Sequence, residues 1–171
     1  MLDKIFDPKK IDKKNYEIEE KLGIFNSDIN SPKKDFCIMM PPPNVTGVLH
    51  MGHALNFTLQ DVIVRYKRLN NFNVLWQPGT DHAGIATQIV VENELNKNNQ
   101  NRYSLGKENF IKKVWEWKKK SGNQIISQMR QLGVSADWAR ERFTMDDDLT
   151  KIVRKVFINL FEKKMIFKEK R

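Results

Sequence analysis

An apolar run from Phe36 to Met40 meets Pro41-Pro42-Pro43, and a strongly periodic helix begins at about Gly52. This junction limits the fold more than any other stretch. Three prolines remove backbone donors and fix φ, so a strand that reaches Pro41 must stop there. Gly47 and Gly52 then permit a tight turn and a close approach of a ligand to the main chain. Pro41 to His53 is therefore a strand-to-helix turn, with His50 and His53 three residues apart at the mouth of the helix. Unpaired N–H groups and the positive dipole end favour an anion there. Two imidazole donors could stabilise the charge that gathers on phosphoryl oxygens without a covalent step. Read as residues alone, His-x-Gly-His equally fits surface imidazoles that happen to start a helix.

The helix after the turn carries Leu55, Leu59, Val62, Ile63, Tyr66 and Leu69 at helical spacing, with Asp61, Arg65 and Arg68 on the other side. The pattern predicts that the first face is buried and the second is wet. Asn70-Asn71 end it, and Phe72 to Trp76 form a second apolar run closed by Gln77-Pro78-Gly79. Strand, helix and strand in this order predict a right-handed parallel crossover, the first unit of a Rossmann-like sheet. Ligands of such sheets sit beyond the carboxyl ends of the strands, so the loop Thr80-Asp81-His82-Ala83-Gly84 should meet the first loop over one pocket. A carboxylate at that place, Asp81, suits an ammonium group or an N-cap alike. Asn44 suits a substrate amine or its own turn, and a structural hydrogen bond is the expected use of His82.

Helices are predicted over Ile85 to Asn96, Lys107 to Lys119 and Ser121 to Leu132, the last stopped by Gly133. A further one has Thr144 as cap and Asp147 three residues later. Asp146, Asp147 and Asp148 are read as partners of its positive end rather than metal ligands, and Met165 to Arg171 turn toward a strand. Residues 1–34 read as an N-terminal arm with a helix near Ile11 to Leu22, ended by Gly23, and residues 35–171 as the main domain. The single cysteine, Cys37, excludes an internal disulfide or a thiolate zinc site and is expected to be buried packing. No apolar run is long enough to cross a bilayer and no signal-peptide pattern opens the chain, so a soluble cytoplasmic protein without membrane partners is expected. The net charge of +9, from 30 basic and 21 acidic residues, suits a polyanionic partner and equally suits solvated helix faces.

His50-Met51-Gly52-His53 resembles the HIGH signature of the class I aminoacyl-tRNA synthetases. The preceding Pro-Pro-Asn-Val-Thr-Gly and the later Gly79-Thr80-Asp81-His82-Ala83-Gly84-Ile85-Ala86-Thr87-Gln88 are similar to the valine-specific branch of that family. So are Trp115 to Lys118, Leu132 to Trp138 and Arg142-Phe143-Thr144-Met145-Asp146. The resemblance implies an α/β fold, the first half of a Rossmann-like nucleotide-binding domain, incomplete by itself and ending near the start of an inserted editing domain. It implies a ligase that joins valine to tRNA(Val) through valyl-adenylate, with Mg2+ entering with ATP and no metal held by the chain. In that reading His50, Gly52 and His53 bind ATP, the two histidines being catalytic, while Pro41, Asn44 and Asp81 bind valine. Thr46 stands one position later than the hydroxyl that some class I enzymes place near the phosphates, where this chain has Val45.

The resemblance also implies a monomeric intact enzyme. The sequence shows no KMSKS-like loop, no second half of the sheet and no editing or tRNA-binding region, so the 171 residues alone are expected to lack aminoacylation activity. Two alternatives stand beside it. One is an inert or split half that acts with a partner chain and exposes apolar surface, because two or three strands cannot cover so many amphipathic helices. The other is a small nucleotidylyltransferase with a His-x-Gly-His loop. Against the latter, an arm of more than thirty residues precedes the strand and no Ser/Thr-Ser/Thr-x-x-Arg-like loop follows.

Overall fold

The computed structural model describes residues 8–170. The first seven residues of the expected arm and Arg171 at the end of the expected last strand lie outside them. Helix α1 (Pro8–Lys21) leads through a turn to strand β1 (Asp35–Met39), then helix α2 (Met51–Leu69), strand β2 (Asn73–Gln77) and the short strand β3 (Gly79–Thr80). Helices α3 (Ile85–Lys97), α4 (Arg102–Leu105) and α5 (Lys107–Gln131) follow, then a 3-10 turn at Trp138–Arg140, strand β4 (Arg142–Phe143) and helix α6 (Asp147–Glu162).

The predicted parallel strand–helix–strand unit is present. β1 and β2 pair in parallel, with Asp35 opposite Asn73 and Met39 opposite Gln77. β3 continues β2 after buried Pro78 and pairs in parallel with β4, Gly79 opposite Arg142 and Thr80 opposite Phe143. Gly79 is required by contact: a Cβ on it would stand 2.7 Å from the Arg142 carbonyl oxygen. The main core gathers Met40, Val45, Phe57, Val64, Val74, Trp76, Ile125, Met129, Val134 and Trp138, so the signature loop, α2, β2 and the second half of α5 close on one another. Residues 12–25 join it through Tyr16 and Phe25. The Tyr16 hydroxyl donates to the Val134 carbonyl at 2.7 Å and accepts from Trp138 Nε1 at 2.6 Å, and Arg130 holds Glu20 in a forked ion pair. Burial pushes the Tyr16 hydroxyl up to about 12. Its neutral form therefore contributes stability that is complete below pH 10 and is lost as the pH climbs through 10 toward 12. Tyr16→Phe leaves the Trp138 donor and the Val134 carbonyl without partners, and is expected to cost about 1–3 kcal/mol in a denaturant titration.

Several expectations are corrected. On α2 the faces are reversed: Leu55, Leu59, Val62, Ile63, Tyr66 and Leu69 are exposed, from 45% for Ile63 to 87% for Leu69, and the buried residues are Phe57 and Val64. The supposed wet face is a polar seam. Asp61 accepts from the amide and hydroxyl of buried Ser135, Arg68 donates to the Ser135 hydroxyl and to the carbonyls of Ser135 and Phe25, and Arg65 donates to the Gly133 carbonyl. Hydrogen bonds can satisfy a polar face in an interior, and among the described residues nothing packs on the apolar one.

The two helices expected between Lys107 and Leu132 are a single one. Ser121 and Gly122 do not break it; both are buried, and a Cβ on Gly122 would reach Val45 Cγ1 at 4.0 Å. Gly133 does end it, with φ +83°. Cys37 is exposed, because the β1 side chains alternate and Asp35, Cys37 and Met39 share the open face. Thr144 does not cap α6; Asp146 occupies the cap position and the Thr144 hydroxyl is engaged elsewhere. Residues 166–170 form no strand, having no neighbour to pair with among the described residues. None of the described residues of α6 is buried, and Ile152, Val153, Val156, Phe157 and Phe161 are exposed. Together with α2 this is the apolar surface that the shortage of strands leads one to expect. No described helix is long and apolar enough to cross a membrane.

Candidate active site

β1 and β2 end side by side and deliver both signature loops to one edge. The loops continue the parallel pairing: Asp81 N donates to the Pro43 carbonyl at 2.8 Å, and Val45 N donates to the Asp81 carbonyl at 2.9 Å, so Asn44 and Asp81 lie opposite each other. Pro41, just past β1, and Asn44 are exposed, and Asp81 is half-buried. Ala83 N donates to Asp81 Oδ1 at 2.8 Å, whereas Oδ2 has no partner among the described residues.

His50 is the N-cap of α2. Its Nδ1 accepts from Gly52 N at 3.1 Å, and His53 Nδ1 accepts from His50 N at 3.2 Å, which makes a reciprocal capping box from two imidazoles. The sequence pointed to open amides at this helix mouth, but those of His50 and Gly52 are taken by the rings. A neutral imidazole that accepts at Nδ1 carries its proton on Nε2, so both rings keep an Nε2–H donor for a ligand. Their centroids are 4.0 Å apart with planes tilted by 44°. Gly52 is needed for the ring beside it: a Cβ there would stand 2.9 Å from His50 Cε1 and 3.0 Å from His50 Nδ1.

Burial, and then the neighbouring His50, hold the His53 imidazole below its ordinary 6.5. The neutral ring is thus the folded form at pH 7. Its share of stability is complete above pH 6.5 and is lost as the pH falls from there through the folded value. Acidification should accordingly loosen the first turn of α2, seen as faster amide exchange at His50 with protection elsewhere retained. Unchanged protection at that amide after His53 has titrated would contradict the cap.

The loop between β1 and α2 is held from behind by α5. Trp117 Nε1 donates to the Val45 carbonyl at 2.8 Å, the Ser121 hydroxyl to the Gly47 carbonyl at 3.2 Å, and Leu49 N donates to Gln128 Oε1 at 3.0 Å. Sequence reasoning missed these three residues, although their spacing of four and seven puts them on one helix face. Val45 and His82 line a cavity of about 710 Å3, with Phe110, Val114, Trp115 and Phe143 as its apolar wall. Both loops thus meet over one cavity, as expected, through Val45 and His82, but none of Pro41, Asn44, Asp81, His50 or His53 lines it. Among the described residues no three His, Cys, Asp or Glu side chains cluster to hold a metal ion. Asp146 instead accepts from Phe143 N, and Asp148 pairs with Arg142.

The family model for tRNA synthetases class I (I, L, M and V) matches residues 14–171. The chain belongs to the class I tRNA synthetases. Similar proteins include the valine–tRNA ligases of Syntrophotalea carbinolica, 54% identical over 99% of this chain, and of Gluconobacter oxydans, 54% identical over 100%. The valine–tRNA ligase of Campylobacter jejuni RM1221 is also 54% identical, over 92% of the chain. This class I synthetase chain spans 19% of the length of each. Its fold is similar to that of the Agrobacterium radiobacter K84 LeuRS, crystallised as a ternary LeuRS-tRNA-LeuAMS complex, with TM-score 0.78 and 23% identity over 95% of this chain and 19% of that one. That likeness extends to the fold alone.

Proposed function

We propose that this segment supplies the nucleotide and amino-acid loops of a cytoplasmic valine–tRNA ligase, which activates valine with Mg-ATP to valyl-adenylate and pyrophosphate and then passes the acyl group to tRNA(Val). The observation that carries the reading is the union of the two loops, with Asp81 bonded to the strand end that leads into the paired histidines. His50 and His53 are the catalytic pair. Each has its ring fixed through Nδ1 and directs an Nε2–H donor toward charge developing on the phosphates. Preorganised donors of this kind act in the transition state without reorganisation. Gly52 serves the nucleotide indirectly, by admitting the His50 ring over the cap.

Pro41, Asn44 and Asp81 receive valine. Asp81 Oδ1 is tied down, so Oδ2 is the oxygen offered to the ammonium group. Coverage of the apolar faces of α2 and α6 falls to sequence that the relatives carry outside this segment. Asp81→Asn in the intact ligase should raise the KM for valine about 10- to 100-fold through loss of a charge-assisted bond, with the KM for ATP little changed. An unchanged valine KM would remove the assignment. The 171 residues expressed alone should give no valine-dependent ATP–pyrophosphate exchange above background, and exchange above background would show that these loops suffice for activation.

A further inference from the structure

Arg142-Phe143-Thr144-Met145-Asp146 has no place in the site so far, yet the β3–β4 pair carries it to the Asp81 loop. Thr144 N donates to the Thr80 carbonyl at 3.2 Å, and the Thr144 hydroxyl accepts from His82 N at 2.9 Å. These two bonds grip the main chain on either side of Asp81. The same hydroxyl oxygen is 2.6 Å from His82 Nδ1 and 3.4 Å from Asp81 Oδ1. A threonine hydroxyl has one proton to give. When His82 carries its proton on Nδ1, that nitrogen and the His82 amide both donate to the oxygen and the Thr144 proton is left for Asp81 Oδ1, which His82 Nδ1 itself approaches at 3.4 Å.

We infer that Thr144 is a positioning residue for the substrate ammonium group: it fixes the Asp81 carboxylate from one side through its hydroxyl and holds the Asp81–His82 backbone through the other bonds. The inference rests on the reading of Asp81 given above. In that tautomer Oδ1 has two donors, Ala83 N and the Thr144 hydroxyl, and Oδ2 is the oxygen without a partner among the described residues. A carboxylate held in one rotamer binds a cation without first losing that freedom. In that tautomer His82 is the clamp that keeps the Thr144 proton aimed at Asp81.

The test is steady-state ATP–pyrophosphate exchange by the intact ligase, with valine and ATP varied separately. Thr144→Val keeps the branched shape and removes the hydroxyl; it should raise the KM for valine about tenfold and leave the KM for ATP and kcat within about twofold. Thr144→Ser, which keeps the hydroxyl, should restore the valine KM. Should Thr144→Val fail to fold, Thr144→Cys, with its weaker donor, should give an intermediate valine KM. On an Asp81→Asn background Thr144→Val should add little, since both act through one carboxylate. A raised valine KM in Asp81→Asn with an unchanged one in Thr144→Val would overturn the role of Thr144 and leave Asp81 in place. Equal rises in both KM values would reduce Thr144 to a fold residue, and no effect of Asp81→Asn would overturn the ammonium reading and this inference together.

Discussion

Alanine in place of His50 or His53 in the intact ligase is expected to lower the rate of valyl-adenylate formation about 10²- to 10³-fold, the range found when one preorganised transition-state donor is removed. Each ring also caps α2, and losing a cap costs about 1 kcal/mol. A stability loss of that size cannot account for a rate loss of about 2.7–4 kcal/mol. His50→Asn separates the two roles, because asparagine is a good N-cap residue but lacks a donor at the reach of Nε2. It should restore the melting temperature lost in His50→Ala while leaving the rate low. Full activity in His50→Asn would mean that the ring serves α2 alone.

Gly79→Ala should destabilise the chain by about 3 kcal/mol, at the upper end of ordinary overpacking. The added Cβ would lie 2.7 Å from the carbonyl oxygen of Arg142. That obstacle is backbone and cannot rotate away. Relief requires β3 and β4 to separate, and with them the Thr80 and Thr144 contacts that frame Asp81. The change should therefore appear twice, as a lower midpoint in denaturant and as a raised KM for valine. A melting temperature within one degree of the parent would show that the pair can spread at little cost.

Much of this arrangement is legible in the residues. Three prolines must end β1, Asn70-Asn71 must end α2, and parallel strands must bring their following loops to one edge. Gly133 closes α5 where its backbone requires positive φ. What the pattern could not reveal depends on partners. Counting apolar residues on α2 selects the stripe from Leu55 to Leu69, but burial depends on what packs there. The described residues pack instead on Phe57, Val64 and a hydrogen-bonded seam. Ser121-Gly122 looks like an interruption because small residues weaken a helix, and here both are buried with the Ser121 hydroxyl on the Gly47 carbonyl. Thr144 has the spacing of a cap, yet its hydroxyl is satisfied across the sheet by His82. A strand two residues long is too short to announce itself by alternation, so the one pairing that would have placed Thr144 beside Asp81 was invisible.

The paired imidazoles are tested most directly by the structure of the intact ligase with a non-hydrolysable valyl-adenylate analogue bound. Nε2 of His50 and His53 should lie within hydrogen-bond distance of the phosphate-side oxygens, with each Nδ1 still on its amide and Oδ2 of Asp81 on the ammonium nitrogen. An analogue seated with its phosphate-side group away from both rings, or its ammonium away from Asp81, would contradict that arrangement.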